Sequence, residues 1–277
     1  MLKILLQLLL NCTSFVNYDT NTVYGMNFDF FNTDTYLTIL QTNQVTVYKL
    51  QFKWNGEYIP TVLYNSYGLF LSYQYVIPVN RYQRHLEGNE KYITDVHSFI
   101  YNSDNISGIL EFTQKYKLAD WIFSIHLHAA DKNNFAIIET GKSQNHITTS
   151  TNYFSIMANF NNYRYKDCSV DSIHGAGSDR YKYIYRQLSK DRNLSINKAF
   201  FLLQNTAMRR GIIKTIFSVV IDPHNNEMFL TRYADYKNIL KIFMIDKKAV
   251  KYSENGNEQV FFIENDIEID DLFRKFQ

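Results

Sequence analysis

At 277 residues the chain is long enough to bury a core of ordinary size, in one large domain or two small ones. Its 29 basic and 27 acidic side chains leave a formal charge of +2, so no global field recruits nucleic acid or an anionic membrane, and neither is expected as a partner. Two cysteines, Cys12 and Cys168, cannot build a disulfide framework, which fits a reducing compartment, and the 22 Tyr and 21 Phe suit an aromatic core without naming a function.

The first eleven residues carry one positive charge and then an apolar run from Ile4 to Leu10 broken by Gln7. That run is too short to span a bilayer and lacks a small-x-small cleavage site, so no stable membrane span is expected from it. Leu9-Leu10-Asn11-Cys12 loosely echoes a lipoprotein signal, but Asn11 is a poor residue where a small one is needed. The expectation is a short pro-segment or leader over residues 1–11 followed by a single domain over 12–277. A cytoplasmic location follows, with secretion as the alternative if residues 1–11 act as an export signal.

Two-residue alternation of apolar and polar side chains over 45–52 predicts a half-buried strand. Similar signals predict strands over 13–16, 23–28, 36–40, 69–75, 122–128, 135–139, 215–221 and 228–233. Turn residues such as Asn55-Gly56, Asn133-Asn134 and Asn225-Asn226 separate several of them, as antiparallel connections require. Helical spacing appears at Tyr92, Val96, Phe99 and Ile100, and again over 106–116 behind Ser103 and Asp104. Ser178 is expected to cap a helix through Tyr181, Ile184, Tyr185 and Leu188, and Ser195 one through Ala199, Leu202 and Leu203. Strands at both ends with paired helices between them predict an α+β protein in which helices cover sheet faces. No linker or repeat divides the chain.

Cys12 is the residue with the most chemistry. Cleavage before it would expose an α-amine with a pKa near about 7.7–8.0 beside a thiol near about 8.5, which places a nucleophile and its base in one residue. Read alone, it is more often a small hydrophobe on a buried strand. His126 and His128 share a strand face but have no further ligand at suitable spacing, so no metal is expected. Asp131 and Glu139, a candidate pair of carboxylates, are expected to fix a hairpin rather than act on a sugar. Arg209-Arg210 complements a helix C-terminus, and Gly175-Ala176-Gly177 lacks the lysine and spacing of a phosphate loop.

Cys12-Thr13-Ser14-Phe15 followed by Val23-Tyr24-Gly25-Met26-Asn27-Phe28-Asp29-Phe30 resembles the opening of the choloylglycine hydrolase and penicillin V acylase family of N-terminal nucleophile hydrolases. The resemblance continues in order through Tyr64-Asn65-Ser66-Tyr67-Gly68-Leu69, residues 131–139, Thr151-Asn152-Tyr153-Phe154, Ser178-Asp179-Arg180-Tyr181 and Phe217-Ser218-Val219-Val220-Ile221-Asp222. It implies a four-layer αββα sandwich of mostly antiparallel sheets. It also implies hydrolysis of a linear carbon–nitrogen amide through a thioester, with a small-molecule N-acyl amide as substrate and no cofactor. An acyltransferase using the same thioester and a catalytically silent binding relative are the alternatives. A homo-oligomer is compatible with the sequence, which does not report oligomeric state.

Carried over position by position, the resemblance makes Cys12 the nucleophile and Asp29 the acid that orients its amine. It makes Asn152 an oxyanion donor and Arg180 a charge-assisted support of the nucleophile's surroundings. Two departures stand out. The arginine expected between Gly25 and Asn27 is Met26, which removes a positive charge. The second oxyanion side chain, usually Asn, falls near Gln74 or Tyr75, and Gln74 is chosen because its amide can donate.

Overall fold

The computed structural model describes residues 12–19, 21–76, 88–119, 124–149, 153–252, 257–264 and 266–277. The expected leader over 1–11, Asn152, and the first residues of the strand expected over 122–128 lie outside them. The strands are β1 (Thr13–Asn17), β2 (Val23–Phe30), β3 (Thr35–Gln41), β4 (Thr46–Trp54), β5 (Glu57–Asn65), β6 (Phe70–Tyr75), β7 (Glu90–Tyr92), β8 (Lys117–Ala119) and β9 (Ile125–Ala130). They continue with β10 (Phe135–Glu139), β11 (His146–Thr148), β12 (Phe154–Ala158), β13 (Lys214–Asp222), β14 (Glu227–Arg232), β15 (Leu240–Phe243), β16 (Lys248–Tyr252), β17 (Glu258–Phe262) and β18 (Ile267–Glu268). The helices are α1 (Ser107–Lys115), α2 (Ser178–Lys190), α3 (Ile196–Thr206) and α4 (Ile269–Arg274), with a 3-10 helix over Ile93–Tyr101.

Two antiparallel sheets carry the fold, one in the order β12-β1-β2-β13-β14-β15-β16-β17 and the other β11-β10-β9-β6-β5-β4-β3-β18. The alternation of side chains along β1 and β2 explains how they stack. Cys12, Val16, Tyr24, Met26, Phe28 and Phe30 face the second sheet and meet Tyr64 and Phe70 in one core, whereas Phe15 and Val23 face away and meet Ile184, Leu188 and Leu203 of α2 and α3. Both faces are thus covered, which is why every residue of β1 and β2 is buried. On the far side, Leu63, Leu71 and Leu127 pack on Val96 and Ile100 of the 3-10 helix and Ile109 of α1. The layers therefore run α, β, β, α, as expected from the resemblance. Gly25 lets β1 and β2 lie close, because a Cβ there would stand 2.3 Å from the Phe15 ring.

The structure corrects several expectations. Of the segment with helical spacing, Tyr92 ends β7 and Ile93–Tyr101 forms a 3-10 helix rather than an α-helix. The N-terminus of α1 is met by Asp131 Oδ2, which accepts from Ile106 N–H at 2.9 Å, not by Ser103 or Asp104. Helix α2 starts from Gly177, whose φ of +75° suits glycine, and Ser178 makes no capping bond. Ser195 caps α3 as expected, accepting from Lys198 N–H at 3.3 Å. Strand β5 escapes the alternation pattern because it contains Pro60, accommodated beside an irregular register between Leu50 and Gln51 of β4.

Candidate active site

Cys12 lies just ahead of β1, and strand pairing begins at Thr13, opposite Asn27 of β2 and Ala158 of β12. The residue is 3% exposed, packed in the inter-sheet core, and its thiol donates toward the Asp29 carbonyl oxygen at an Sγ···O distance of 3.8 Å. The Asp29 carboxylate lies on the other face of β2, the face shared with Asn27, whose amide donates to Leu203 O of α3 at 2.9 Å. There Arg180 Nη1 donates to Asp29 Oδ2 at 2.7 Å, and Thr215 Oγ1 donates to Asp29 Oδ1 at 2.5 Å. Both carboxylate oxygens are therefore satisfied, which makes a fully buried charge tolerable.

Local geometry explains the pairing. A register irregularity between Thr215 and Phe217 of β13 sets Thr215 opposite Asp29 of β2, and bulges of this kind re-aim side chains next to functional sites. Arg180 reaches Asp29 from the first turn of α2, close to Gly177, where an added Cβ would stand 2.5 Å from Arg180 Nη2. That nitrogen also donates to Asn159 Oδ1 at 3.3 Å, and the Asn159 amide donates to Tyr75 O at 2.6 Å. No local sequence pattern marks Thr215 or Asn159 as part of this arrangement. Thr215 reads as the first residue of an ordinary strand, and Asn159 carries no signal beyond its place at a strand end.

Burial pushes the Cys12 thiol up to about 12, reinforced by the Asp29 charge and opposed by Arg180. Burial also raises Asp29, to about 6, against the pull of Arg180 and the Thr215 hydrogen bond. Met26, where the resemblance expects arginine, is fully buried in the inter-sheet core and fills it with an apolar side chain. Gln74 lies across from β1. In the amide orientation that satisfies both ends, its nitrogen donates to Cys12 O at 3.2 Å and its oxygen accepts from Ser14 N–H at 3.0 Å. The residue expected to donate into the oxyanion site is thus engaged with the main chain of Cys12. Cys12, Asp29, Arg180 and Gln74 come together, and Asn152 lies outside the described residues.

Beside Cys12 opens a cavity of about 330 Å³ whose walls include Phe28, Phe30, Phe52, Tyr58, Tyr73 and Tyr75. The described lining holds no Lys, Arg, Asp or Glu, and its one histidine, His97, is lowered by burial to about 4 and so is neutral near pH 7. The other singled-out residues serve the scaffold. Asp131 Oδ1 accepts from Asn133 N–H and Asn134 N–H at 2.8 and 2.7 Å, which closes the β9–β10 turn. Glu139 accepts from Asn162 N–H and Tyr163 N–H at 2.9 and 2.7 Å and lies 3.4 Å from His126 Nδ1. Cys168 is exposed and unpaired.

The sandwich matches solved structures along nearly its whole length. A mutant of conjugated bile acid hydrolase from Clostridium perfringens aligns with a TM-score of 0.67 at 12% identity, over 91% of this chain and 97% of that one. The fold is that of the N-terminal nucleophile hydrolases. Penicillin V acylase from Agrobacterium tumefaciens aligns with a TM-score of 0.64 at 15% identity, over 92% of each chain. An N-acylethanolamine-hydrolyzing acid amidase ortholog from Caenorhabditis elegans aligns at 0.50 and 17% identity, over 76% of this chain and 93% of that one. No protein-family model and no curated protein sequence matches the chain. Among the described residues, no helix is long and apolar enough to cross a membrane. At these identities the solved structures show the fold alone.

Proposed function

We propose that the protein hydrolyses linear N-acyl amides with Cys12 as the nucleophile, after removal of residues 1–11 has freed its α-amine. The observation that carries this reading is the position of Cys12, beside an aromatic cavity whose described lining carries no charge and backed by the buried Asp29–Arg180 pair. In the reaction, the α-amine takes the thiol proton and the thiolate attacks the amide carbonyl, forming a carbon–sulfur bond. Donors around the carbonyl, Asn152 among them by resemblance, receive the negative oxygen. The resulting ammonium passes its proton to the departing nitrogen as the carbon–nitrogen bond breaks. Water then attacks the thioester, with the same amine as base, and the acid product leaves.

The raised thiol gives processing a physical purpose. With a peptide bond on its nitrogen, Cys12 has neither a base nor a nearby ammonium, and a thiol near about 12 is almost wholly protonated at neutral pH. A free α-ammonium beside Sγ supplies both the missing base and a favourable charge. Arg180 keeps Asp29 ionised above about pH 6, and the ionised carboxylate holds that ammonium in reach of the sulfur. The cavity suits an uncharged acyl group, because a charged one would lose its hydration with no partner among the described lining residues.

The test is turnover of a panel of N-acyl amides by protein shown to begin at Cys12. Neutral aryl or alkyl acyl groups should be cleaved and Cys12→Ala should be inactive with its fold retained. Turnover by Cys12→Ala defeats the mechanism. Met26 in place of a cation favours a second reading, a silent binding relative, and unreactive Cys12 in correctly processed protein would select it.

A further inference from the structure

Ser14 lies two residues after Cys12 and so faces the second sheet with it. It is fully buried, and its hydroxyl oxygen stands 3.0 Å from Nδ1 of His128, a buried histidine of β9 that the reaction above does not use. Gln74, on the neighbouring strand β6, contacts the same hydroxyl at 2.7 Å through its amide oxygen, while its nitrogen holds Cys12 O. The proton order along this chain is determined by what each group can do. An amide oxygen only accepts, so the single Ser14 hydroxyl proton points to Gln74. The Ser14 oxygen then serves as acceptor, and His128 Nδ1 must carry the ring proton. That tautomer leaves Nε2 as a bare acceptor, in keeping with its lack of a partner among the described residues. Burial keeps the ring neutral by lowering its pKa to about 3.

We infer that His128, Ser14 and Gln74 form a clamp, running from Nδ1–H through the Ser14 hydroxyl to the Gln74 amide, that positions the main chain of Cys12 by tying it to the opposite sheet. This inference rests on the reading of Cys12 as the nucleophile. In the processed protein Cys12 is the terminal residue, with no preceding residue to hold it, and strand pairing starts only at Thr13. The hydrogen bond from Gln74 to its carbonyl restrains the pivot of the sulfur, and the two groups behind Gln74 hold that amide in one orientation. His128 and Ser14 are positioning residues. Neither lines the cavity.

Four processed variants and one spectrum test the clamp. With a neutral arylacetyl p-nitroanilide, Ser14→Ala and His128→Leu should lower kcat by about 10-fold or more, with KM within about two-fold of wild type, because a misplaced nucleophile loses rate rather than binding. His128→Asn places a side-chain N–H where Nδ1–H stood and should restore kcat to within about three-fold of wild type. His128→Gln, whose donor is displaced, should not. Equal loss in His128→Asn and His128→Leu, or no loss in His128→Leu, overturns the clamp. The ¹⁵N shifts of the wild-type ring provide a readout independent of turnover. A neutral Nδ1–H tautomer is expected, and an Nε2–H tautomer overturns the proposal even where turnover is absent. Wild-type protein that cleaves no amide but shows the Nδ1–H tautomer would remove the proposed function while leaving the hydrogen-bond chain in place.

Discussion

Replacing Arg180 with methionine tests the electrostatics of the site most sharply. Asp29 is wholly buried and Arg180 is 7% exposed, and their 2.7 Å ion pair has little competition from solvent. Removing one member of such a pair strands the other, so Arg180→Met should lose about 3–5 kcal/mol of stability at pH 8. Asp29 already sits above its ordinary range, at about 6, and without the guanidinium it rises further. A carboxyl whose folded pKa exceeds its unfolded value adds stability that is complete below the unfolded pKa and is lost as pH rises through the folded pKa. The variant's penalty must therefore shrink toward acid, where Asp29 takes up a proton and the stranded charge disappears. Adding Asp29→Asn should recover at least about 1–2 kcal/mol at pH 8, because the double variant buries no unpaired charge. Urea denaturation of the four proteins at pH 5 and pH 8 measures these quantities. A penalty equal at both pH values, or a double variant as unstable as the sum of the singles, would refute the reasoning.

Other predictions follow from the same geometry. Cys12 in unprocessed chain should react with iodoacetamide at pH 8 at least about 100-fold more slowly than Cys12 in chain that begins there, since burial holds the precursor thiol near about 12; stopped alkylation read by intact mass checks this. Gly25→Ala should destabilise by about 1–3 kcal/mol in urea denaturation, because the new methyl group meets the Phe15 ring at 2.3 Å in a packed layer, and an unchanged midpoint would show that the ring yields freely. Asn152→Ala should lower kcat by about 10²- to 10³-fold with little change in KM, as expected of a donor used in the transition state, and a pure KM effect in steady-state kinetics would make it a binding residue.

Much of the architecture was legible because strands buried on one or both faces announce themselves through alternation or apolar runs, as β1, β2, β4, β6, β10 and β13 do. Strands whose local signals conflict were not legible. Pro60 hides β5, and β16 and β17, at the end of a sheet, mix lysine, glutamate and exposed aromatic residues that give no clean alternation. The ordered motifs identified Cys12, Asp29 and Arg180, and the structure brings all three together. Thr215 and Asn159, which complete their hydrogen bonds, come from segments distant in sequence and became visible only once β13 and β12 flanked β1 and β2. Gln74 was singled out for its amide. Its attachment to the backbone of Cys12 and Ser14 depends on how two sheets face one another, which no local pattern reports.

The most direct test of the account is the acid-quenched mass of the active protein, caught during turnover of a neutral N-acyl amide and mapped by N-terminal sequencing. The account predicts a chain beginning at Cys12 that carries one acyl increment on that residue, removable by hydroxylamine and absent from Cys12→Ala. Active protein that retains residues 1–11, or an acyl group carried anywhere other than Cys12, would contradict it.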